Sequence, residues 1–158
     1  MGIATYTLAS HTTASGTDLD TYFPTGGVDG GWINTKGADS VTLITRRTAE
    51  SGTCTLQAFA EFLDLATMEF LPLLDLNNAT QVQSVVYADA ALDTSTPFHR
   101  FLLLSSAPLQ VDPDTILTPN TVHKAYQIWL PEMLRFRFRH GGTTVTNTFS
   151  ATANVHAR

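Results

Sequence analysis

The sequence predicts an all-β protein, a single β-sandwich with a jelly-roll-like or Greek-key arrangement of eight or nine strands. Apolar and cationic residues alternate over positions 134–139, and apolar and hydroxyl residues alternate over positions 144–155. Only a strand places every second residue on one face. Other short strand-like runs, separated by turn signals, recur along the chain, which is typical of sandwiches and barrels.

Length and composition fit one soluble domain. The 158 residues suffice for a hydrophobic core, and 43% of them are hydrophobic while only 15% are charged. A net charge of −5 argues against nucleic-acid binding. Cys54 is the only cysteine, so no disulfide forms within the chain. We find neither a signal peptide nor a membrane span, and we expect synthesis in the cytosol.

The first 30 residues predict an N-terminal arm that carries a strand near Thr5 to Leu8 and then a loop. Residues 14–40 contain several aspartates, glycines and Pro24, which predict a long irregular stretch. Residues 31–158 predict the sandwich itself, and we treat the whole chain as one domain. Because long loops in compact domains are usually functional, we expect the arm to dock on a neighbouring protein.

The body of the sandwich is predicted from a series of short strands. They cover residues 40–47, 53–62, 68–74, 81–87, 98–104 and 124–130. Residues 59–70 also fit a helical stripe, so a helix is the alternative there to a hairpin. Prolines mark 105–121 as a loop, and the two long connections favour Greek-key crossings over a simple meander.

The C-terminal quarter predicts a β-hairpin. Its first strand covers residues 134–139, its turn lies at 140–142 with two glycines, and its second strand covers 144–155. Leu134, Phe136 and Phe138 share the apolar face of the first strand. In the second strand the apolar face includes Phe149 and Val155, and threonines line the opposite face.

The cations Arg135, Arg137 and Arg139 form a row on the other face of this first strand. Same-face neighbours in a strand lie about 6.6–6.8 Å apart, so the three charges repel one another unless they are paired. They could pair with acids on adjacent strands, or meet an anionic surface of another protein. Nucleic acid is the third interpretation, and the acidic net charge argues against it.

Catalytic and metal-binding patterns are missing from the sequence. The five histidines are scattered, and Asp18 and Asp20 supply only one step of a calcium-loop pattern. Ser51 and Ser105 lack the glycines of a nucleophile elbow. We therefore expect a protein that is not an enzyme and needs no metal or cofactor.

The order of these features resembles that of the small β-sandwich virion proteins of tailed bacteriophages, especially capsid decoration (cement) proteins. The resemblance spans about residues 30–155 and rests on residues 30–33 (GGWI), 38–43 (ADSVTL), 52–57 (GTCTLQ), the hairpin at 63–74, residues 130–136 (LPEMLRF) and the Thr-rich last strand. It implies a structural role, homo-oligomers that are often trimers, and no cofactor.

We therefore expect a virion protein, made in the host cytoplasm, that binds the major capsid protein or other virion proteins and neighbouring copies of itself. No membrane contact is expected. A glycan-binding module of a tail or adhesion apparatus is one alternative, and a small main coat protein is another. The predicted interface residues are Arg135, Arg137, Arg139, Tyr6, Leu8, Tyr22 and Trp32.

Overall fold

The computed structural model describes residues 3–14, 20–24, 31–50, 54–75, 80–81, 85–88, 98–106, 122–142 and 146–157. Within them the chain forms strands and turns but no helix. The strands are β1 (Ile3–Ala14), β2 (Asp20–Phe23), β3 (Ile33–Asn34), β4 (Ala38–Glu50), β5 (Cys54–Asp64), β6 (Glu69–Pro72), β7 (Leu74–Asp75), β8 (Thr80–Gln81), β9 (Val85–Ala88), β10 (Phe98–Ser105), β11 (Val122–Gln127), β12 (Met133–Gly142) and β13 (Thr146–Ala157).

Two sheets make the sandwich. The five-stranded sheet has the order β1-β13-β4-β10-β11, and the six-stranded sheet has the order β2-β12-β5-β6, with β3 beside β12 and β9 beside β5. All these pairs are antiparallel except β10 and β11, which are parallel. Nine strands lie on the two main pairing paths, which agrees with the predicted eight or nine.

The pairing is that of a jelly roll. Strand β1 pairs with β13, β2 with β12, β4 with β10, and β5 with β9. Successive pairs alternate between the two sheets, as happens when one long antiparallel ribbon wraps around a core. The predicted all-β, jelly-roll-like sandwich is confirmed.

The predicted C-terminal hairpin is wrong, because β12 and β13 lie in different sheets. The predicted faces are nevertheless correct: Phe136, Phe138, Phe149 and Ala151 are buried. The rings of Phe138 and Phe149 meet across the sandwich with centroids 4.9 Å apart. Alternation determines which residues of a strand face the core. The same alternation is expected whether two strands pair in a hairpin or pack against each other from opposite sheets.

The N-terminal region is part of both sheets where it is described. Strand β1 pairs with β13 along almost its whole length, and β2 pairs with β12 from Asp20 to Phe23. The stretch predicted to be irregular, 14–40, therefore contains β2, β3 and the start of β4. The rest of the predicted arm, residues 1–2, 15–19 and 25–30, lies outside the described residues.

The β5–β6 hairpin is confirmed, and the alternative helix over residues 59–70 is wrong. Strand β5 continues to Asp64, and a turn over 65–68 returns the chain as β6. Met68 closes the turn in the left-handed region with φ 58°, and its N–H donates to the Asp64 carbonyl at 2.7 Å. The Asp64 carboxylate accepts from the Ala66 N–H at 3.0 Å, which fixes the turn.

The core lies between the sheets and is built from large side chains of both. The fully buried ones are Phe23, Phe136, Phe138, Phe149, Ile33, Leu43, Leu73, Leu104 and Leu134. Each such side chain contributes about 1.5–3 kcal/mol relative to an exposed position. With the core inside, each sheet presents its other face outward, and those outer faces carry the candidate functional residues.

Candidate interaction surfaces

The three arginines lie on the outer face of the six-stranded sheet, as predicted. Strand β12 runs between β2 and β5, so Arg137 and Arg139 have a strand on both sides, whereas Arg135 pairs with Glu61 of β5. The exposed fraction of the side chain rises along the strand, from 10% for Arg135 through 17% for Arg137 to 47% for Arg139. Only the far end of the row is therefore well exposed.

Two carboxylates from the neighbouring strands pair with this row. Glu61 of β5 accepts from the Nε of Arg135 and from the Nε of Arg137, both at 2.7 Å. Asp20 of β2 accepts from Arg139 Nε at 2.8 Å and Arg139 Nη2 at 2.9 Å, and it contacts Arg137 Nη1 at 3.2 Å. Such charge-assisted, forked bonds are stronger than neutral ones. The pairing with acids on adjacent strands is the interpretation that the structure supports.

Aromatic rings cover the same guanidinium groups. The Cζ atom of Arg135 lies 3.6 Å from the ring centroid of Phe70 and 4.2 Å from that of Tyr22. The Cζ atom of Arg137 lies 4.4 Å from the ring centroid of Phe59. Cation–π contacts of this kind favour the charged guanidinium where little water reaches it. We call these three arginines, Glu61 and Asp20 the arginine–carboxylate ladder.

The ladder changes the acidity of its exposed end. The hydrogen bond from Arg139 lowers the pKa of Asp20, and the charge of Arg137 adds to that effect, although partial burial acts in the opposite direction. The same hydrogen bond raises the pKa of Arg139. Asp20 and Arg139 are therefore both ionised at neutral pH.

The other predicted interface residues are spread over the molecule. Tyr6, in β1, accepts the N–H of Asn34 on its phenol oxygen at 3.2 Å. Leu8 is buried in the core, so its side chain does not reach the surface. Tyr22 covers Arg135, as described above, and Trp32 is half exposed. The structure therefore joins Tyr22 to the arginines, and an interface role for this set stays a prediction.

Strand β1 is an edge strand among the described residues, with β13 on one side and no described strand on the other. Its twelve residues, IATYTLASHTTA, include no charged residue and no proline. The register shifts between Leu8 and His11. Past this irregularity His11 packs edge-on against Phe149 and lies 3.2 Å from the Thr21 hydroxyl of the other sheet. The strand is thus fixed at both sheets but open along one edge.

The outer face of the five-stranded sheet is rich in hydroxyl groups. Thr5 donates to the Asn154 side chain at 3.1 Å, and the hydroxyls of Thr12 and Thr148 lie 3.0 Å apart. These contacts join β1 to β13 side chain by side chain. Arg46 adds an exposed cation on β4, whereas the next residue, Arg47, points inward and is buried. This face can meet another protein with few charges to desolvate.

Sequence reasoning missed the acidic partners of the arginines. Glu61 is two residues after Phe59, and residues at that spacing share a strand face. The alternation of β5 therefore indicates which face of the strand carries Glu61. Asp20 lies in the stretch predicted to be irregular, and its strand is too short to show alternation in the sequence. Neither position could be matched to β12 without knowing the strand order.

The described part of the chain holds no group of three or more His, Cys, Asp or Glu residues that could bind a metal ion. It also holds no helix long and apolar enough to cross a membrane.

Comparisons with known proteins give distant structural similarity only. No family model matches the chain, and no curated protein matches it. The structure of infectious bursal disease virus Gt strain is similar with a TM-score of 0.44 and 13% identity over 98% of this chain, which spans about a third (32%) of that chain. The xylan-binding module CBM15 has a TM-score of 0.42 and 13% identity, with 99% of both chains covered. The crystal structure of the infectious bursal disease virus VP2 subviral particle has a TM-score of 0.39 and 11% identity, with 98% of this chain and 33% of that chain covered. Similarity at this level assigns neither a family nor a function.

Proposed function

We propose that this protein is a non-enzymatic structural protein of a virion, a capsid decoration protein that binds the shell and neighbouring copies of itself through its sheet edges. The major capsid protein or another virion protein is the proposed partner, and a trimer is the proposed oligomer. The observation that carries the proposal is the uncharged, twelve-residue edge strand β1.

Edge strands present unpaired N–H and C=O groups to any strand that approaches. Proteins that stay monomeric protect such edges with lysines, prolines, short strands or inward charges. Strand β1 carries a register shift at Leu8 and His11 but none of the charged or proline protections. It can accept a further strand, which is the mode called β-augmentation.

The adjoining surface supports the same use. Next to β1, the outer face of β13 presents Thr148, Thr152 and Asn154, whose hydroxyl and amide groups can exchange water for protein partners at low cost. On the opposite side of the sandwich the arginines are paired within the chain, which leaves little cationic surface for nucleic acid.

The test compares two threonine-to-lysine substitutions. Thr7 is exposed on the edge strand β1, and Thr48 is exposed on the interior strand β4. Light scattering across a dilution series gives the solution mass of each variant. We expect the unaltered chain and Thr48→Lys to form the same oligomer and Thr7→Lys to dissociate, because a lysine opposes edge pairing. Equal masses for the two variants would contradict edge-mediated assembly.

Virion membership needs its own measurement. Particles purified from cells that carry the gene are analysed by mass spectrometry after nuclease and detergent washes. The chain is expected in the particles in stoichiometric amounts. Its presence only in the soluble fraction would contradict a virion role, whatever the result of the edge experiment.

A glycan-binding module is the second candidate, because Trp32 and Trp129 are about half exposed. Exposed indoles stack on sugar rings. If the protein is a glycan receptor, a soluble oligosaccharide present at about a hundred times its Kd stabilises the fold by roughly 2.7 kcal/mol. An unchanged melting temperature across a broad sugar panel would remove this candidate.

A further inference from the structure

An apolar groove lies at one end of the six-stranded sheet. It forms where the β5–β6 turn meets the segment 128–132 that leads into β12. We call it the end groove. Its volume is about 240 Å³, and its apolar lining consists of Phe62, Leu63, Leu65, Trp129, Pro131 and Met133. Trp129 and Leu65 are 53% and 60% exposed, although large apolar side chains normally gain by burial.

The tryptophan of the end groove is held in place. Its ring meets the ring of Phe62 edge-on, with centroids 5.5 Å apart and planes at 82°. The Ile128 N–H donates to the Ser105 carbonyl at 2.8 Å. Thr35 donates its hydroxyl to the Pro131 carbonyl and its N–H to the Glu132 carbonyl. A partner that covers Trp129 therefore gains a contact without having to order the segment first.

The rim of the end groove is acidic. Asp64 and Glu132 line it, and Glu69 pairs with Asp64 across the hairpin. Lys36 lies near this rim, with its Nζ 3.8 Å from a Glu132 oxygen, and both side chains are mostly exposed. The surrounding field therefore favours a partner with positive charge.

We propose that the end groove docks a segment of another protein in which one apolar side chain is flanked by lysines or arginines. The apolar side chain would enter between Trp129 and Leu65, and the flanking cations would meet the acidic rim. No residue of β1 lines this site, and the proposal does not depend on the virion assignment.

A saccharide fits the end groove less well. The lining is mostly apolar, and the two Asp64 carboxylate oxygens already accept from the Ala66 N–H and the Thr67 hydroxyl. Few groups are left to bind sugar hydroxyls, which need several placed polar partners. The volume is also below the roughly 300–1,000 Å³ of ligand clefts and suits a single inserted side chain.

The probe is a dye-labelled nine-residue peptide with a central leucine and two lysines on each side. Its fluorescence anisotropy is titrated with the full chain at low and at high salt. We expect saturable binding that weakens as salt rises. Replacing the leucine by alanine, or the lysines by glutamates, should weaken it at least about tenfold, because each change removes one half of the recognition.

Matched protein variants locate the binding. Trp129→Ala should lower the affinity about 30-fold, as expected for a central aromatic anchor. Trp32→Ala removes a similarly exposed tryptophan outside the groove and should leave the affinity unchanged. Glu132→Gln should lower it about threefold and reduce the salt dependence. Leu65→Ser, in an exposed turn, repeats the test in a position where folding is not at risk, and melting curves confirm that each variant is folded.

Three results would overturn the proposal. One is no saturable binding of the basic peptide. Another is an equal loss of affinity in the Trp129→Ala and Trp32→Ala variants, which indicates a non-specific effect. The last is binding of a neutral oligosaccharide that changes the tryptophan fluorescence of the unaltered chain but not that of the Trp129→Ala variant. Together with the absence of peptide binding, that result would make the groove a sugar site.

Discussion

Replacing Glu61 by alanine tests whether the arginine–carboxylate ladder stabilises the fold. The substitution removes two hydrogen bonds of 2.7 Å, one to Arg135 and one to Arg137, from a site where both cations are largely shielded from water. Hydrogen bonds to charged groups contribute about 1.5–3 kcal/mol each, and breaking a buried ion pair costs about 3–5 kcal/mol. We therefore expect the free energy of unfolding to fall by about 3–5 kcal/mol.

The assay is urea unfolding, with the loss taken from the midpoint at a constant m value. For a chain of this size the same loss lowers the melting temperature by roughly 6–20 °C. Glu132→Ala is the matched control, because the Glu132 side chain is 60% exposed and its oxygen is 3.8 Å from Lys36. An exposed pair of that kind contributes less than about 1 kcal/mol.

A double-mutant cycle separates the Glu61–Arg135 interaction energy from the other effects of each substitution. Arg135→Met keeps the apolar stem that packs beside Phe70 and removes the charge. We expect Glu61→Ala and Arg135→Met together to cost about 1–3 kcal/mol less than the sum of the two single losses. A Glu61→Ala loss below about 1 kcal/mol, equal to that of Glu132→Ala, would refute the reasoning and show that the ladder acts as an ordinary solvated surface pair.

Three further predictions concern acidity, packing and the turn. Because the hydrogen bond from Arg139 lowers the folded-state pKa of Asp20 below its usual value of 3.8, its contribution is present above that value and is lost as pH falls through the folded pKa. Asp20→Asn should therefore weaken the acid dependence of the urea midpoint between about pH 6 and pH 2, and an unchanged dependence would count against the Arg139 contact. Phe138→Ala should cost about 3–5 kcal/mol in urea unfolding, since the ring is buried against Phe149, and a loss below about 1 kcal/mol would contradict tight packing there. Met68→Gly should raise the melting temperature, by a gain of about 0.5–1 kcal/mol, because Met68 adopts a φ of 58° that glycine adopts without strain; a lower melting temperature would contradict that account.

The faces of the strands could be predicted from the sequence, but their partners could not. Alternation identified Phe136 and Phe138 as inward and the arginines as outward, because side-chain direction in a strand depends only on local backbone geometry. Whether β12 pairs with β13 depends on contacts between distant parts of the chain, and here the strand pairs with β5 instead. The turn predicted at 140–142 is wrong, because β12 continues to Gly142 and its two glycines pair with Thr55 and Cys54 of β5.

In the candidate site, too, the residues of a single strand could be predicted and their partners on other strands could not. The row of arginines was visible as a pattern, whereas Asp20 is 119 residues away from Arg139 in sequence and lies beside it only through the jelly-roll wrap. The end groove left no periodic signal, since it joins a turn at Leu65 to a connecting segment at Trp129. Surfaces made at the ends of strands depend on strand order, which single-sequence patterns do not contain.

The position of β13 has a consequence for how the chain folds during synthesis. Strand β13 lies between β1 and β4, with Ile3 opposite His156 and Val41 opposite Val155. On a ribosome that adds about 5–20 residues per second, the facing edges of β1 and β4 wait roughly 5–20 s for residues 146–157 to emerge. In that interval β1 lacks its described partner strand, and β4 lacks its neighbour on that side. A synthetic peptide covering residues 146–157, added to a chain that stops before β13, should pair with both strands in trans and restore the fold.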